Sequence, residues 1–442
     1  MIPILKRAIS AILCSALLFS AIPCTAAPEN IPDDPPPETV TIPDGSYLPE
    51  ALPSCFMEFS NSMTDEPDTL LRKYYIQPTL QSDTTELEGK EYYLNIEDAI
   101  PLLREQLQNW GAKCSVPVMI HTDDYIDFSL SRDEVINRLL DVSTPYIMEM
   151  IDLAEEHTGD PREGDYLAWN YYTYTYGFGT DAVITYSDYS QDLYMDLTFQ
   201  PVFRTTAAEE AEFEAAAETL LDTLFGEERS TIHPYRTIRT IYDWVCANVT
   251  YDHKHLEEEQ LYGDSYTYRY HYTAYAALIN GTAVCQGYAL LMYTLLLRMG
   301  IDCRFIAGLG NGGAHGWNIA EINGLYYNLD STWDAGQTSY RYFMLNTADF
   351  TENYTDHHRY TQYETDAFHA DYPMSETSYT YTQSEDVNGD GTVTAADAFY
   401  LLRYTLLPER YPLAVADADY TWNHRITAAD ASLLYSRYPN VI

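Results

Sequence analysis

Three residues late in the chain have the types and the order that nucleophilic acyl transfer needs: Cys285, His315 and Asp330. A cysteine nucleophile requires a base, and the base requires an acceptor that orients it. From Tyr288 onward the residues after Cys285 are apolar with no polar face and no Gly or Pro before Gly300, which reads as a helix buried on most sides. At the N-terminal end of that helix, unpaired N–H groups and the positive end of the dipole favour a thiolate. His315 stands in Gly-Gly-Ala-His-Gly-Trp-Asn-Ile-Ala-Glu-Ile, where Trp317, Ile319 and Ile322 indicate a strand beginning near the histidine. Asp330 closes the next apolar run, and Asn323-Gly324 between the runs is a two-residue hairpin signal. The two runs should therefore pair antiparallel and set His315 beside Asp330. Taken singly, a buried cysteine is usually inert packing and a histidine among glycines a turn residue. The joint order and flanks are what point to chemistry.

At Leu278-Ile-Asn-Gly-Thr-Ala-Val-Cys-Gln-Gly-Tyr-Ala, Gly300-Ile, Ile306-Ala-Gly, His315-Gly-Trp-Asn and Leu329-Asp-Ser-Thr-Trp-Asp the chain resembles the transglutaminase-like superfamily, over roughly residues 205 to 370. The resemblance implies an α+β fold with a papain-like core, Cys285 as nucleophile, His315 as general base and acid, and Asp330 as its orienter. It implies no cofactor for catalysis. The expected reaction is hydrolysis of amide bonds in a protein or peptide. The alternatives are cross-linking onto a lysine amine, release of an asparagine-linked glycan, and a module that only binds. Ile241-Tyr-Asp-Trp-Val-Cys-Ala-Asn looks like the helix that precedes the Cys285 helix in the family, with Cys246 as core. The backbone N–H of Cys285 is the expected oxyanion donor.

A second motif begins after a polar stretch. Asp386-Val-Asn-Gly-Asp-Gly-Thr-Val-Thr-Ala-Ala-Asp supplies oxygen ligands from Asp386, Asn388, Asp390 and Asp397, with Thr392 at the seventh position and Gly391 for the sharp turn. That pattern calls for calcium. A second copy, aligned on Thr-Ala-Ala-Asp, offers Asp419, Thr421, Asn423, Arg425 and Asp430, with His424 where a glycine usually turns. It has one carboxylate fewer, so calcium should be tight at the first loop and weak or absent at the second. Two such loop-helix units resemble a dockerin, a small all-α calcium-binding plug. The resemblance implies a cohesin module of a cellulosome scaffold as partner.

The remaining organisation follows from composition. The chain has 442 residues, 46% hydrophobic and 14% aromatic, with 24 basic against 67 acidic residues for a net charge of −43. That balance disfavours nucleic acid and anionic membranes as partners. Residues 1–27 carry Lys6-Arg7, an apolar run and Thr25-Ala-Ala, which reads as a secretory signal peptide, so the protein is expected outside the cell. Residues 28–45 form an acidic, proline-rich linker, 46–205 an N-terminal α+β region, 206–370 the catalytic domain, 371–384 a linker and 385–442 the dockerin. In the N-terminal region, helices are predicted over Asn95 to Trp110 and Ser131 to Ala154, the second opened by a capping box. Strands follow to Phe203, split at Gly177-Phe-Gly-Thr-Asp and near Ser187. The histidines of His253 to His271, and His357, His358 and His369, are read as solvated. Gly308 to Gly316 is read as a mobile rim. With Cys285 free, Cys55, Cys114, Cys246 and Cys303 could make two disulfides.

Overall fold

The computed structural model describes residues 84–439 apart from 188, 227–231, 264–265, 338, 353–356, 416 and 423–424. The signal peptide, the first linker and Cys55 therefore lie outside the described residues. Two compact units are present, one reaching to Thr158 and including Arg162–Ala207 and Leu309–Ala314, the other holding Gly159–Pro161, Ala208–Gly308 and His315 onward.

In the first unit the order is β1 (Thr84–Leu87), β2 (Lys90–Tyr93), a helix Ile96–Gln108, β3 (Cys114–Thr122), a helix Arg132–Ala154, β4 (Tyr171–Ser187) and β5 (Ser190–Phe203). The strands form one sheet in the order β1-β2-β3-β5-β4. Alternation along β3 buries Cys114, Val116, Val118 and Ile120, and these pack with Leu103 and Leu107 of the first helix and Ile147 and Ile151 of the second. The expected capping box is present: the Glu134 N–H donates to Ser131 Oγ at 3.4 Å and the Ser131 N–H to Glu134 Oε2 at 3.1 Å. One expectation fails. The strand does not split at Gly177, because β4 stays paired with β5 from Thr173↔Val202 to Ser187↔Ser190 and absorbs the irregularity as a register shift between Thr180 and Ala182.

In the second unit, helices Ala207–Phe225, Pro234–Asn248, His253–Tyr262 and Cys285–Arg298 accompany a five-stranded sheet. The two-residue strands β6 (Thr250–Tyr251) and β7 (Thr282–Ala283) pair with each other, and the larger sheet is built of β8 (Cys303–Gly310), β9 (Gly313–Ile322), β10 (Leu325–Leu329), β11 (Phe343–Leu345) and β12 (His358–Arg359), in the order β11-β10-β9-β8-β12. The predicted Asn323-Gly324 hairpin is there. Ile322 pairs with Leu325, and Asn323 and Gly324 both take positive φ, 57° and 80°, as a tight primed turn requires. The glycine-rich stretch read as a mobile rim is a second hairpin, turning at Asn311-Gly312. Gly308 belongs to its packed strand, where an added Cβ would sit 2.1 Å from the His358 carbonyl. Residues 373–379, read as linker, are tied to the sheet: Tyr326 N–H donates to Pro373 O, Ser375 N–H to Tyr326 O and Tyr379 N–H to Met344 O.

The C-terminal helices Ala395–Leu406 and Ala428–Arg437 enclose a small core of Val387, Leu401, Ala418, Tyr420 and Leu434. Among the described residues no helix is long and apolar enough to cross a membrane. Two disulfides among four cysteines would need at least one bond within Cys114, Cys246 and Cys303. All three are free and buried, so that expectation is corrected.

Candidate active site

The Cys285 helix is buried along its length, from Gln286 to Leu297. Before it, the turn of helix Ala276–Asn280 ends at Gly281 in the left-handed region, φ 69°. A two-residue parallel pairing, Thr250↔Thr282 and Tyr251↔Ala283, then fixes where the chain enters the helix. The Val284 N–H donates to the His271 carbonyl at 2.8 Å. Gly287 lets that segment approach: an added Cβ would lie 2.7 Å from Ala283 Cβ and 2.8 Å from the Thr273 carbonyl. Gly287→Val is accordingly expected to destabilise the protein by about 1–3 kcal/mol and to shift the start of the helix. Thermal unfolding together with thiol labelling of Cys285 reads both effects. The region read as solvated loop is thus a support for the helix start. His271 is buried, with Nε2 3.0 Å from Glu259, because the helix His253–Tyr262 folds back over it.

The two hairpin strands place the other two residues. Asn318 of β9 donates to the Ala289 carbonyl at 2.9 Å and to the Arg304 carbonyl at 3.2 Å, tying the strand to the Cys285 helix. His315 Nε2 lies 2.8 Å from Asp330 Oδ2, and the Cys285 thiol is close enough to His315 to help raise its pKa. With Nε2 committed to the carboxylate, Nδ1 is the nitrogen left for the thiol. Asp330 is fully buried and caps the short helix Ser331–Asp334, its Oδ1 accepting from the N–H groups of Thr332 at 3.0 Å and Trp333 at 3.2 Å. The Trp333 ring stacks on His315, centroids 4.6 Å apart. Cys285, His315 and Asp330 are therefore brought together as expected.

The electrostatics follow from burial and pairing. Burial opposes an imidazolium at His315, yet the Asp330 charge and hydrogen bond, with the nearby Cys285 thiol, hold its pKa well above the ordinary value. Burial would raise the Asp330 pKa, but His315 and His357 hold the carboxyl well below the usual carboxylate range. Asp334, the other carboxylate in this stretch, is engaged elsewhere: it accepts from the N–H groups of Arg341 and Tyr342 and lies 2.8 Å from the Tyr242 hydroxyl. Burial pushes the Cys246 thiol up, in keeping with a core position.

His357 was not found by sequence reasoning, and the solvated reading is corrected for it. It is 4% exposed, with Nε2 3.2 Å from Asp330 Oδ2 and its ring 4.1 Å from that of Phe350. Burial lowers its pKa against the pull of Asp330, so it stays neutral and donates from Nε2. Nothing local separates His357 from His358, which is exposed; only the long-range packing of residues 350 and 317 around it does. His369 is exposed as expected. Among the described residues, His315, Asp330 and His357 are a group of potential metal ligands within 4.8 Å of one another. Both imidazoles already share one carboxylate oxygen, which accounts for the cluster without an ion.

In the first acidic loop, Asp386 accepts from the N–H groups of Asp390 at 3.1 Å and Gly391 at 2.8 Å. Asp397 reaches back to the Asn388 N–H at 3.2 Å, and Asn388 and Asp390 side chains lie 3.0 Å apart. Thr392 donates its N–H to Asp390 at 2.9 Å. Three carboxylates and an amide oxygen drawn into one turn fit a hard, oxygen-seeking cation such as calcium, which when bound would neutralise them and fix the loop. The repeat alignment holds, since Thr421 N–H donates to Asp430 Oδ1 at 2.8 Å as Asn388 N–H does to Asp397. Arg425 is exposed in this second loop, and Asn423 lies outside the described residues.

A family model for the transglutaminase-like superfamily matches residues 226–333, and one for the type I dockerin domain matches residues 384–437. No curated protein matches the chain. Among solved structures, one described as a TGase is 14% identical with a TM-score of 0.25, over 51% of this chain and 53% of that one. A candidate cysteine protease from Cytophaga hutchinsonii is 15% identical with a TM-score of 0.21, over 37% of this chain and 65% of that one. The chain thus spans about half the length of the first and under two thirds of the second. The mixed helix and sheet core around Cys285 is a transglutaminase-like domain, and the paired loop-helix units after it are a type I dockerin domain.

Proposed function

We propose that the protein is an exported cysteine enzyme that hydrolyses amide bonds in protein or peptide substrates, docked to a cohesin-bearing scaffold by its dockerin. The observation that carries the reading is the position of His315, 2.8 Å from the buried Asp330 carboxylate on one side and near enough on the other for the Cys285 thiol to help raise its pKa. Cys285 Sγ attacks the carbonyl carbon, and the oxyanion that forms faces the N–H groups at the helix start. His315, as imidazolium, gives its proton to the leaving amine and the C–N bond breaks. It then takes a proton from water, which attacks the thioester and releases the acid. Trp333 on the imidazole face and the buried Asp330 keep competing water from that ion pair. On the dockerin, Phe399, Leu402 and Leu406 stand exposed along one helix, an apolar strip that supports docking.

Wild type and Cys285→Ala, treated with a thiol-directed electrophile and then incubated with mixed proteins, test the reading. Labelling is expected at Cys285 in the wild type, with new peptide termini as products by mass spectrometry. Isopeptide links would assign transfer to lysine instead, and glycan release would assign an amidase. No labelling and no product would leave a binding module. Activity against pH should be bell-shaped, because thiolate and imidazolium must coexist.

A further inference from the structure

The two acidic loops of the dockerin differ in more than ligand count. In the first, both oxygens of the leading aspartate, Asp386, accept backbone N–H groups of its own loop. In the second, the leading aspartate is taken by a side chain from the transglutaminase-like domain. Arg236, in helix Pro234–Asn248 and 2% exposed, places NH2 2.5 Å from Asp419 Oδ2 and NH1 2.9 Å from Asp417 Oδ1. Asp417 in turn accepts the Asp419 N–H at 3.0 Å, so the two carboxylates and the guanidinium form one buried unit. Trp422 lies against the guanidinium, 4.9 Å from its ring centre, and Tyr235 stacks on Tyr381 at 4.4 Å beside it.

Asp430 closes that loop much as Asp397 closes the first, its Oδ1 accepting from the Thr421 N–H and hydroxyl, both at 2.8 Å, and its Oδ2 from the Thr427 N–H and hydroxyl at 2.7 and 3.0 Å, so the two loops part at their leading aspartates. A divalent cation bound to Asp419 would sit close to a guanidinium already bonded to Oδ2 of that carboxylate, and two positive centres would share one carboxylate. Arginine holds a permanent charge, is weakly hydrated and bonds carboxylates through a fixed fork, so it can fill the place.

We propose that Arg236 occupies the second dockerin loop in place of calcium, and that this clasp fixes the dockerin to the transglutaminase-like domain while the first loop alone takes the metal. Tyr379 and Tyr381 of the intervening stretch, both packed on Tyr235, are shielded by the same contact. Native mass spectrometry of the full chain titrated with calcium, paired with chymotrypsin cleavage after Tyr379 and Tyr381, tests it. One tightly held calcium is expected in the wild type, with slow cleavage at saturating calcium. Arg236→Met and Asp417→Asn should each raise the cleavage rate about tenfold, since cleavage follows the open population. Asp417→Asn leaves every loop ligand in place, and it alone decides the matter if Arg236→Met fails to fold. Two calcium ions of similar affinity in the wild type, or cleavage unchanged by Asp417→Asn, would overturn the proposal.

Discussion

Asp330→Asn is expected to lower kcat by a factor on the order of 10³–10⁴ with little change in KM. The reason is specific to the way the residue is used. Oδ1 accepts two backbone N–H groups at the start of a short helix, and an asparagine oxygen preserves that cap. Oδ2 faces the Nε2 atoms of both His315 and His357, at 2.8 and 3.2 Å. An amide NH2 in that place meets two donors, so at least one imidazole must turn its tautomer. If His315 turns, it presents N–H to Cys285 and can no longer accept its proton. The charge that holds the His315 pKa up is lost as well, so the alkaline side of the rate profile should move to lower pH. Stability has its own sign. Asp330 titrates below its unfolded value, so its contribution is present above about pH 4 and lost as pH falls through the folded pKa. The gap in Tm between wild type and variant should hold near neutrality and shrink in acid. Full activity in the variant would show that another acceptor orients His315.

Removal of calcium is expected to abolish cohesin binding by the full chain, and Asp386→Ala should weaken calcium binding by about 100-fold. The core of the dockerin is Val387, Leu401, Ala418, Tyr420 and Leu434 with a few partly buried neighbours, too small to hold two helices without help. The loss of Asp386 is expected to cost most, because its carboxylate gathers the N–H groups of Asp390 and Gly391 into the turn. Asp419→Ala should harm docking less, since its carboxylate is committed to Arg236. Surface capture on an immobilised cohesin module, with and without chelator, reads this. Equal capture in chelator would refute the calcium requirement.

Several features of the protein are written in its local sequence. The Cys285 helix follows from an unbroken apolar run, the His315 to Asp330 hairpin from Asn323-Gly324 between alternating strands, and both loop-helix repeats from ligand spacing. Each depends on residues within about a dozen positions, where propensity and periodicity act directly. What tertiary structure decided lies at long separation. His357 joins Asp330 across 27 positions, and Arg236 reaches Asp419 across 183. The free state of Cys114, Cys246 and Cys303 and the unbroken strand β4 are of the same kind. Local sequence could not place them, because a histidine or arginine is solvated or buried according to what distant segments close around it. The free energy that holds it there comes from partners the neighbouring residues do not encode.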